Sequence, residues 1–213
     1  ASNQLAIAKA GYSSAEIKAS GGYSAQECKE ADVPAKQAGY TVGLFGKHLN
    51  TVPKYVPEGF DAWMANGGGN YIAPAFSTSG MSWFGMKDGH WQGTADDYTT
   101  AVVGNASVQW IRKVVGEDSS RPFFAYVAPK AAHEPFQPAP WYLEHWDSTW
   151  PKTEPRDDPA WNSTAEARAD HHGNIARQPP LSAAAASVIS GVYRNRWRAL
   201  LSVDDLVDAT VQS

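Results

Sequence analysis

Residues 39–50 read GYTVGLFGKHLN, and this stretch decides the fold. Residues 40–45 form a short apolar run that closes on Gly46 and then presents Lys47. Residues 123–128, FFAYVA, repeat the arrangement: a wholly apolar run, followed by PKAAHEP, which carries His133. Brief runs that are apolar on both faces read as strands of a parallel sheet buried on both sides. In an open α/β sheet, ligands bind beyond the carboxyl ends of the strands. The pattern predicts two neighbouring parallel strands, with 123–128 at the sheet centre, that bring an ammonium and an imidazole to one rim. Such a pair suits a small oxyanion.

Working outward, residues 33–37 read as the end of a helix, with Gly39 as its capping glycine. Residues 1–30 are small and polar, without a clear period, and read as an irregular N-terminal segment. Residues 53–93 are rich in glycine and read as loops. Gly67, Gly68 and Gly69 could be taken for a phosphate cradle, but no flanking strand and helix are evident, so they read as a turn. GLFGKH is not a P-loop, because Thr41 stands at the first glycine position and His48 at the Ser/Thr position.

Residues 97–115 read as a helix, with Val103, Ala106, Trp110 and Val114 on its inner face and Asn105 on the outer one. Asp96 and Asp97 are placed to cap it. Residues 135–180 are long and irregular, dense in proline and tryptophan; Trp141, Trp146, Trp150 and Trp161 either stack on sugar faces or pack the loop. A helix begins near residue 184. Its stripe is Ile189, Tyr193, Trp197, Leu200, Val203 and Val207, with Asp204 and Asp205 off that stripe.

The chain has 213 residues, 43% of them hydrophobic, and a net charge of −4. That is ordinary for a globular domain and argues against nucleic acid as partner, since phosphate binding demands a basic face. No apolar run approaches the length of a membrane span. Cys28 is the one cysteine, so it has no partner within the chain. Asn105 and Asn162 head the two Asn-x-Ser/Thr triplets and are candidate glycosylation sites. His171 and His172 are adjacent, point apart in regular structure, and lack the companions of a metal site.

Five segments resemble the sulfatase family: GYTVGLFGKHLN, GNASVQWIRK, APKAAHEPF, ADHHGNIARQPP and YRNRWRALLSVDDLVDATV. They occur in the family's order and are similar to the branch of N-acetylglucosamine-6-sulfatases and heparan sulfate endosulfatases. Val42 departs from the usual Ser or Thr, and His48 replaces the aromatic residue that normally follows the lysine. The resemblance implies an α/β, alkaline-phosphatase-like sulfatase domain, a mixed sheet flanked by helices. It also implies that residues 31–213 are a partial domain, incomplete at both ends. The Cys-x-Pro-Ser-Arg motif whose cysteine becomes formylglycine is not in the sequence, and Cys28 in ECKEA does not fit it.

By resemblance, the function is a sulfuric ester hydrolase acting on a sulfated sugar, such as N-acetylglucosamine 6-sulfate in a glycosaminoglycan or polysaccharide. Formylglycine and a divalent cation, usually calcium, are implied as cofactors, and none of their residues maps onto this chain. Lys47 would bind a sulfate oxygen and the formylglycine hydroxyl, and His133 would assist the departing oxygen. His48 would stand in for the histidine that relatives place two residues after the lysine. Fixed donors aimed at developing charge are what such chemistry needs. The partner implied is a sulfated carbohydrate and the route secretory, lysosomal or extracellular; the oligomeric state is open. The isolated chain is expected to be inactive. The rival expectations are a non-catalytic binder of sulfated glycans and a phosphatase or phosphodiesterase of the same superfamily.

Overall fold

A computed structural model of the chain describes residues 35–50, 56–148, 150, 154–158 and 160–213. The segment 1–30 and Cys28 lie outside the described residues. The chain divides into two compact units, one running to Lys130 and including Val203–Ser213, the other Ala131–Ser202.

The first unit is built on a five-stranded mixed sheet. Its strands are β1 (Thr41–Lys47), β2 (Ala62–Asn66), β3 (Ala75–Ser79), β4 (Gly89–Gln92) and β5 (Phe123–Ala128), and α1 is Thr99–Glu117. The order is β4-β3-β2-β1-β5. β1 runs parallel to both β2 and β5, whereas β3 is antiparallel to β2 and to β4.

The entry to β1 follows from local chemistry. Tyr40 N–H donates to the Ala35 carbonyl at 3.1 Å and Gly39 N–H to the Lys36 carbonyl at 3.0 Å. This pair of bonds is the Schellman closure of a helix, and it requires the left-handed backbone that Gly39 supplies at φ +88°. Gly46 has a different reason to be glycine. A Cβ there would sit 2.1 Å from the Ala128 carbonyl oxygen, so its absence lets β1 and β5 approach at the rim.

α1 packs on one face of the sheet against β1 and β5. Val103, Ala106 and Trp110 turn inward onto Phe45, Met64 and Phe76, as their spacing predicted. Trp110 meets Phe45 at 5.5 Å between ring centroids and Phe123 edge-on at 5.9 Å. Fully burying side chains of this size contributes about 1.5–3 kcal/mol each. The opposite face carries a smaller cluster of Leu44, Trp63 and Ala65, with Val56 and Phe60 beside it.

Four expectations are corrected. The segment 53–93 is not loop alone: it supplies β2, β3 and β4. Strand 123–128 is not central: among the described residues β5 lies at the sheet edge, with Phe124 49% and Tyr126 47% exposed. Asp97 does not cap α1; its carboxylate accepts from Thr94 N–H at 2.7 Å. The N-cap is Tyr98, without a side-chain cap, and Thr99 N–H is satisfied by the Tyr71 carbonyl at 2.8 Å. The fourth correction concerns α2 (Ala183–Val211). The residues it buries are Ser190, Arg198, Ala199, Ser202 and Leu206, while Leu200 and Val207 of the expected stripe are exposed. Small side chains, a paired arginine and Leu206 make that face.

The second unit shows why an arginine can be buried. Arg198 pairs with Asp147 and donates through Nε to the His145 carbonyl at 2.7 Å. Glu154, 4% exposed, pairs with Arg194 and Arg156. Burial alone would raise its carboxyl, but hydrogen bonds from Arg194 and Ser190 and the two guanidinium charges hold it below the ordinary value. Ser182 caps α2 by accepting from Ala185 N–H at 3.1 Å. Apart from short 3₁₀ turns and one helical turn at Gly173–Ala176, residues 135–180 have no regular element among the described residues, as expected. Trp146, Trp150, Tyr193 and Trp197 pack ring to ring at 5.4–6.2 Å, so this part of the tryptophan set packs the unit itself. Trp141 is 55% exposed.

Candidate functional site

The parallel register fixes the rim. Gly46 lies opposite Ala128 on β5, and Lys47 opposite Asn66 on β2. The carboxyl ends of β1, β2 and β5 therefore coincide, which is where a sheet of this kind binds ligands. Lys47, Asn66 and the Pro129–Lys130 step all emerge there.

Asn66, 8% exposed, organises the turn that follows β2. Its backbone carbonyl accepts from His48 N–H at 3.0 Å. Its side-chain oxygen accepts from Gly68 N–H at 3.0 Å, and its side-chain nitrogen donates to the Ala75 carbonyl at 3.3 Å. Residues 67–69 are thus a turn, as expected, but a strand does precede them directly. The Lys47 ammonium lies 3.8 Å from where a Cβ on Gly68 would stand. The Lys130 ammonium donates to the Gly69 carbonyl and sits 4.8 Å from the centre of the Tyr71 ring. Burial, and then the charge of Lys47, lower the Lys130 pKa.

His48 turns away from this cluster, since neighbours on a strand face opposite sides. Its ring meets Trp63 edge-on at 5.1 Å. Burial lowers its pKa and favours the neutral ring. His133 belongs to the second unit and is exposed. Its Nδ1 lies 2.9 Å from the Glu134 carbonyl oxygen. A carbonyl only accepts, so Nδ1 is the donor of this contact.

Asn105 is exposed on α1, as its place on the outer face predicted. Asn162 is exposed too, and its side-chain oxygen accepts from Leu181 N–H at 2.7 Å. His171 pairs with Asp170, and His172 accepts from Asn174 N–H. Asp204 and Asp205 are exposed on α2.

Among the described residues no three of His, Cys, Asp and Glu gather as a metal site. The rim offers ammonium and amide groups where calcium takes carboxylate and carbonyl oxygens, so its donor set does not fit that ion. Ammonium groups carry only donors, which suit an anion. A cavity of about 260 Å³ opens elsewhere in the unit, lined by Thr41, Asp61, Trp83, Trp110, Lys113 and Arg121. It adjoins the first residue of β1, away from Lys47 at the strand's end. Lys130 was missed in the sequence reading; the signal available was a second lysine two residues past a strand end, three before His133.

The family model described as Sulfatase matches residues 34–213. N-acetylglucosamine-6-sulfatase of Homo sapiens is 27% identical over 184 residues, covering 82% of this chain and 30% of that protein. The extracellular sulfatase SULF-1 homolog of Drosophila melanogaster is 29% identical over 106 residues, 49% of this chain and 9% of that protein. Among solved structures, BT4656 in complex with its substrate D-glucosamine-2-N,6-O-disulfate matches at 21% identity and a TM-score of 0.42, over 83% of this chain and 35% of that one. The chain spans under a third of the length of the N-acetylglucosamine-6-sulfatase it matches.

Proposed function

The chain belongs to the sulfatase family, and on that premise we propose that it supplies the sulfate-binding part of a sulfuric ester hydrolase acting on a sulfated sugar. N-acetylglucosamine 6-sulfate within a glycosaminoglycan or polysaccharide is the substrate proposed. The observation that carries the reading is the parallel pairing of β1 and β5, which sets Lys47 at a rim shared with the strand that leads to His133.

The roles follow from the groups. Lys47 holds the sulfate as a compact charge with three donors. As the S–O bond breaks, negative charge builds on the leaving sugar oxygen, and a proton from Nε2 of protonated His133 neutralises it. His48, kept neutral by burial and packed on Trp63, is given no part in this step. Formylglycine would supply the nucleophile of this chemistry, but the sequence holds no motif for it, so no attacking group is assigned here. Turnover by this chain alone is not expected. Asn105, exposed on α1, and Asn162 are proposed glycan sites in keeping with a secretory, lysosomal or extracellular route; a glycan on Asn162 would compete with its Leu181 contact.

Calorimetry with N-acetylglucosamine 6-sulfate tests the reading. Binding should weaken about tenfold or more in Lys47→Met, the loss expected for one charge-assisted contact. Absence of binding by the unsubstituted chain would overturn the proposal. Hydrolysis of an aryl sulfate by the purified chain would overturn the expected inactivity, and tighter binding of the matching phosphate ester would favour the phosphatase reading.

A further inference from the structure

We propose that Lys130 is a second anion-binding residue of the rim, so that the site receives glycans bearing two anionic groups: a sulfate ester on Lys47 and a further sulfate or carboxylate on Lys130. This rests on the sulfated-sugar reading above and adds a residue and a substrate class to it.

The two lysines reach the same turn from different strands. Lys47 ends β1 and Lys130 stands two residues past β5, and the register of Gly46 with Ala128 brings those ends side by side. Their heads meet consecutive glycines: the Lys47 ammonium is 3.8 Å from the Cβ position of Gly68, and the Lys130 ammonium donates to the Gly69 carbonyl. No side chain stands on the turn between them.

Lys130 is held rather than free. The face of Tyr71 lies under its charge at 4.8 Å, and Tyr71, 1% exposed, is itself stacked on Tyr98 at 5.9 Å. An ammonium has three N–H donors, and the Gly69 carbonyl takes one, leaving two for a ligand. Gly68 N–H is already committed to Asn66, so an anion here is met by the ammonium groups and not by a backbone nest.

The charge balance points the same way. Among the described residues no carboxylate pairs with Lys47 or Lys130. Two cations that repel each other, one of them partly desolvated, store unfavourable energy that an anion relieves on binding. A lysine that merely anchored the turn would gain nothing from lying near Lys47.

The test compares N-acetylglucosamine 6-sulfate with N-acetylglucosamine 3,6-disulfate by calorimetry on the full chain. The unsubstituted chain should bind the disulfated sugar about tenfold more tightly, one charge-assisted contact's worth. Lys130→Gln should reduce that preference to about twofold or less while leaving the monosulfated sugar within about twofold. Lys130→Arg, which keeps the charge, should retain the preference. An unchanged preference in Lys130→Gln, or equal weakening of both sugars as a disordered turn would give, overturns the assignment. Should the unsubstituted chain bind the monosulfated sugar without preferring the disulfated one, Lys130 alone is misassigned. Should it bind neither, the sulfated-sugar reading falls and this inference with it.

Discussion

Replacing Gly46 by alanine strikes a place where two strand ends approach too closely for a side chain. The new Cβ would lie 2.1 Å from the Ala128 carbonyl oxygen and 2.8 Å from its carbon, both backbone atoms that cannot rotate away. The backbone at Gly46 has φ +111°, a region that costs other residues about 1–3 kcal/mol. Overpacking of this kind adds about 1–3 kcal/mol. The sum, roughly 2–6 kcal/mol, is a large part of the 5–15 kcal/mol that holds an ordinary domain together. Two control positions separate the contributions. Gly39 has φ +88° and open space around its Cβ position, so Gly39→Ala carries only the backbone cost, about 1–2 kcal/mol. Gly116 lies within α1 with nothing near its Cβ position, so Gly116→Ala should stabilise by about 0.5–1 kcal/mol. Urea titration followed by tryptophan fluorescence reads all three, since Trp63 and Trp110 are buried in this unit. The order expected is Gly116→Ala above the unsubstituted chain, then Gly39→Ala, then Gly46→Ala. The last should also weaken sulfate binding, because the residue displaced immediately precedes Lys47. A Gly46→Ala variant no less stable than Gly39→Ala, with sulfate binding intact, would refute the close-approach argument.

The other predictions concern pH and the sheet edge. Burial holds His48 below its ordinary value of 6.5, so the unfolded chain takes up that proton more readily than the folded one. The associated stability is complete above the unfolded value and declines as pH falls through it. The urea midpoint of the first unit should drop between about pH 7.5 and 5, and His48→Phe, which keeps a ring against Trp63, should flatten that slope; equal slopes would show that another group governs it. On β5, the exposed Phe124 and Tyr126 lie on the strand that ends the sheet among the described residues. Changing both to threonine should cost the unit no more than about 1 kcal/mol and reduce self-association in light scattering; undiminished association would place the sticky surface elsewhere.

How much of this was legible in the sequence depended on whether neighbouring residues or distant ones decide the structure. The Schellman turn at Gly39 and the inner face of α1 are set within a few residues, and both were read correctly. The parallel pairing of β1 with β5 was legible because both runs are apolar on both faces and end in the same manner. That two-sided character misled only on position, since it describes what a strand can bury, not how many neighbours it has. β2, β3 and β4 were invisible for the opposite reason. AWMAN is five residues without alternation, AFSTS buries Thr78 beside Phe76, and GHWQ is largely exposed. Each becomes a strand by pairing with the next, and no local propensity announces that. The stripe on α2 failed because apolarity was used as the sole sign of burial. Arg198 goes inside on the strength of Asp147 and the His145 carbonyl, partners some fifty residues away in sequence.

The same distinction explains the two lysines. Lys47 was found because the residues around it form a recognisable pattern at a strand end. Lys130 carries no such mark: in the sequence it is one basic residue between a proline and two alanines. Its significance depends on Gly69, sixty-one positions earlier, and on the register that sets β5 beside β1. The three glycines were weighed alone and judged a turn, which they are. What the pattern could not supply was that a turn bare of side chains, reached by two ammonium groups from adjacent parallel strands, is also a place for charge to be received. If Lys130→Gln abolishes the preference for a doubly charged sugar while Lys47→Met abolishes sulfate binding itself, the two contacts are separable, and the anion site belongs to the sheet rim rather than to the Gly-Lys motif alone.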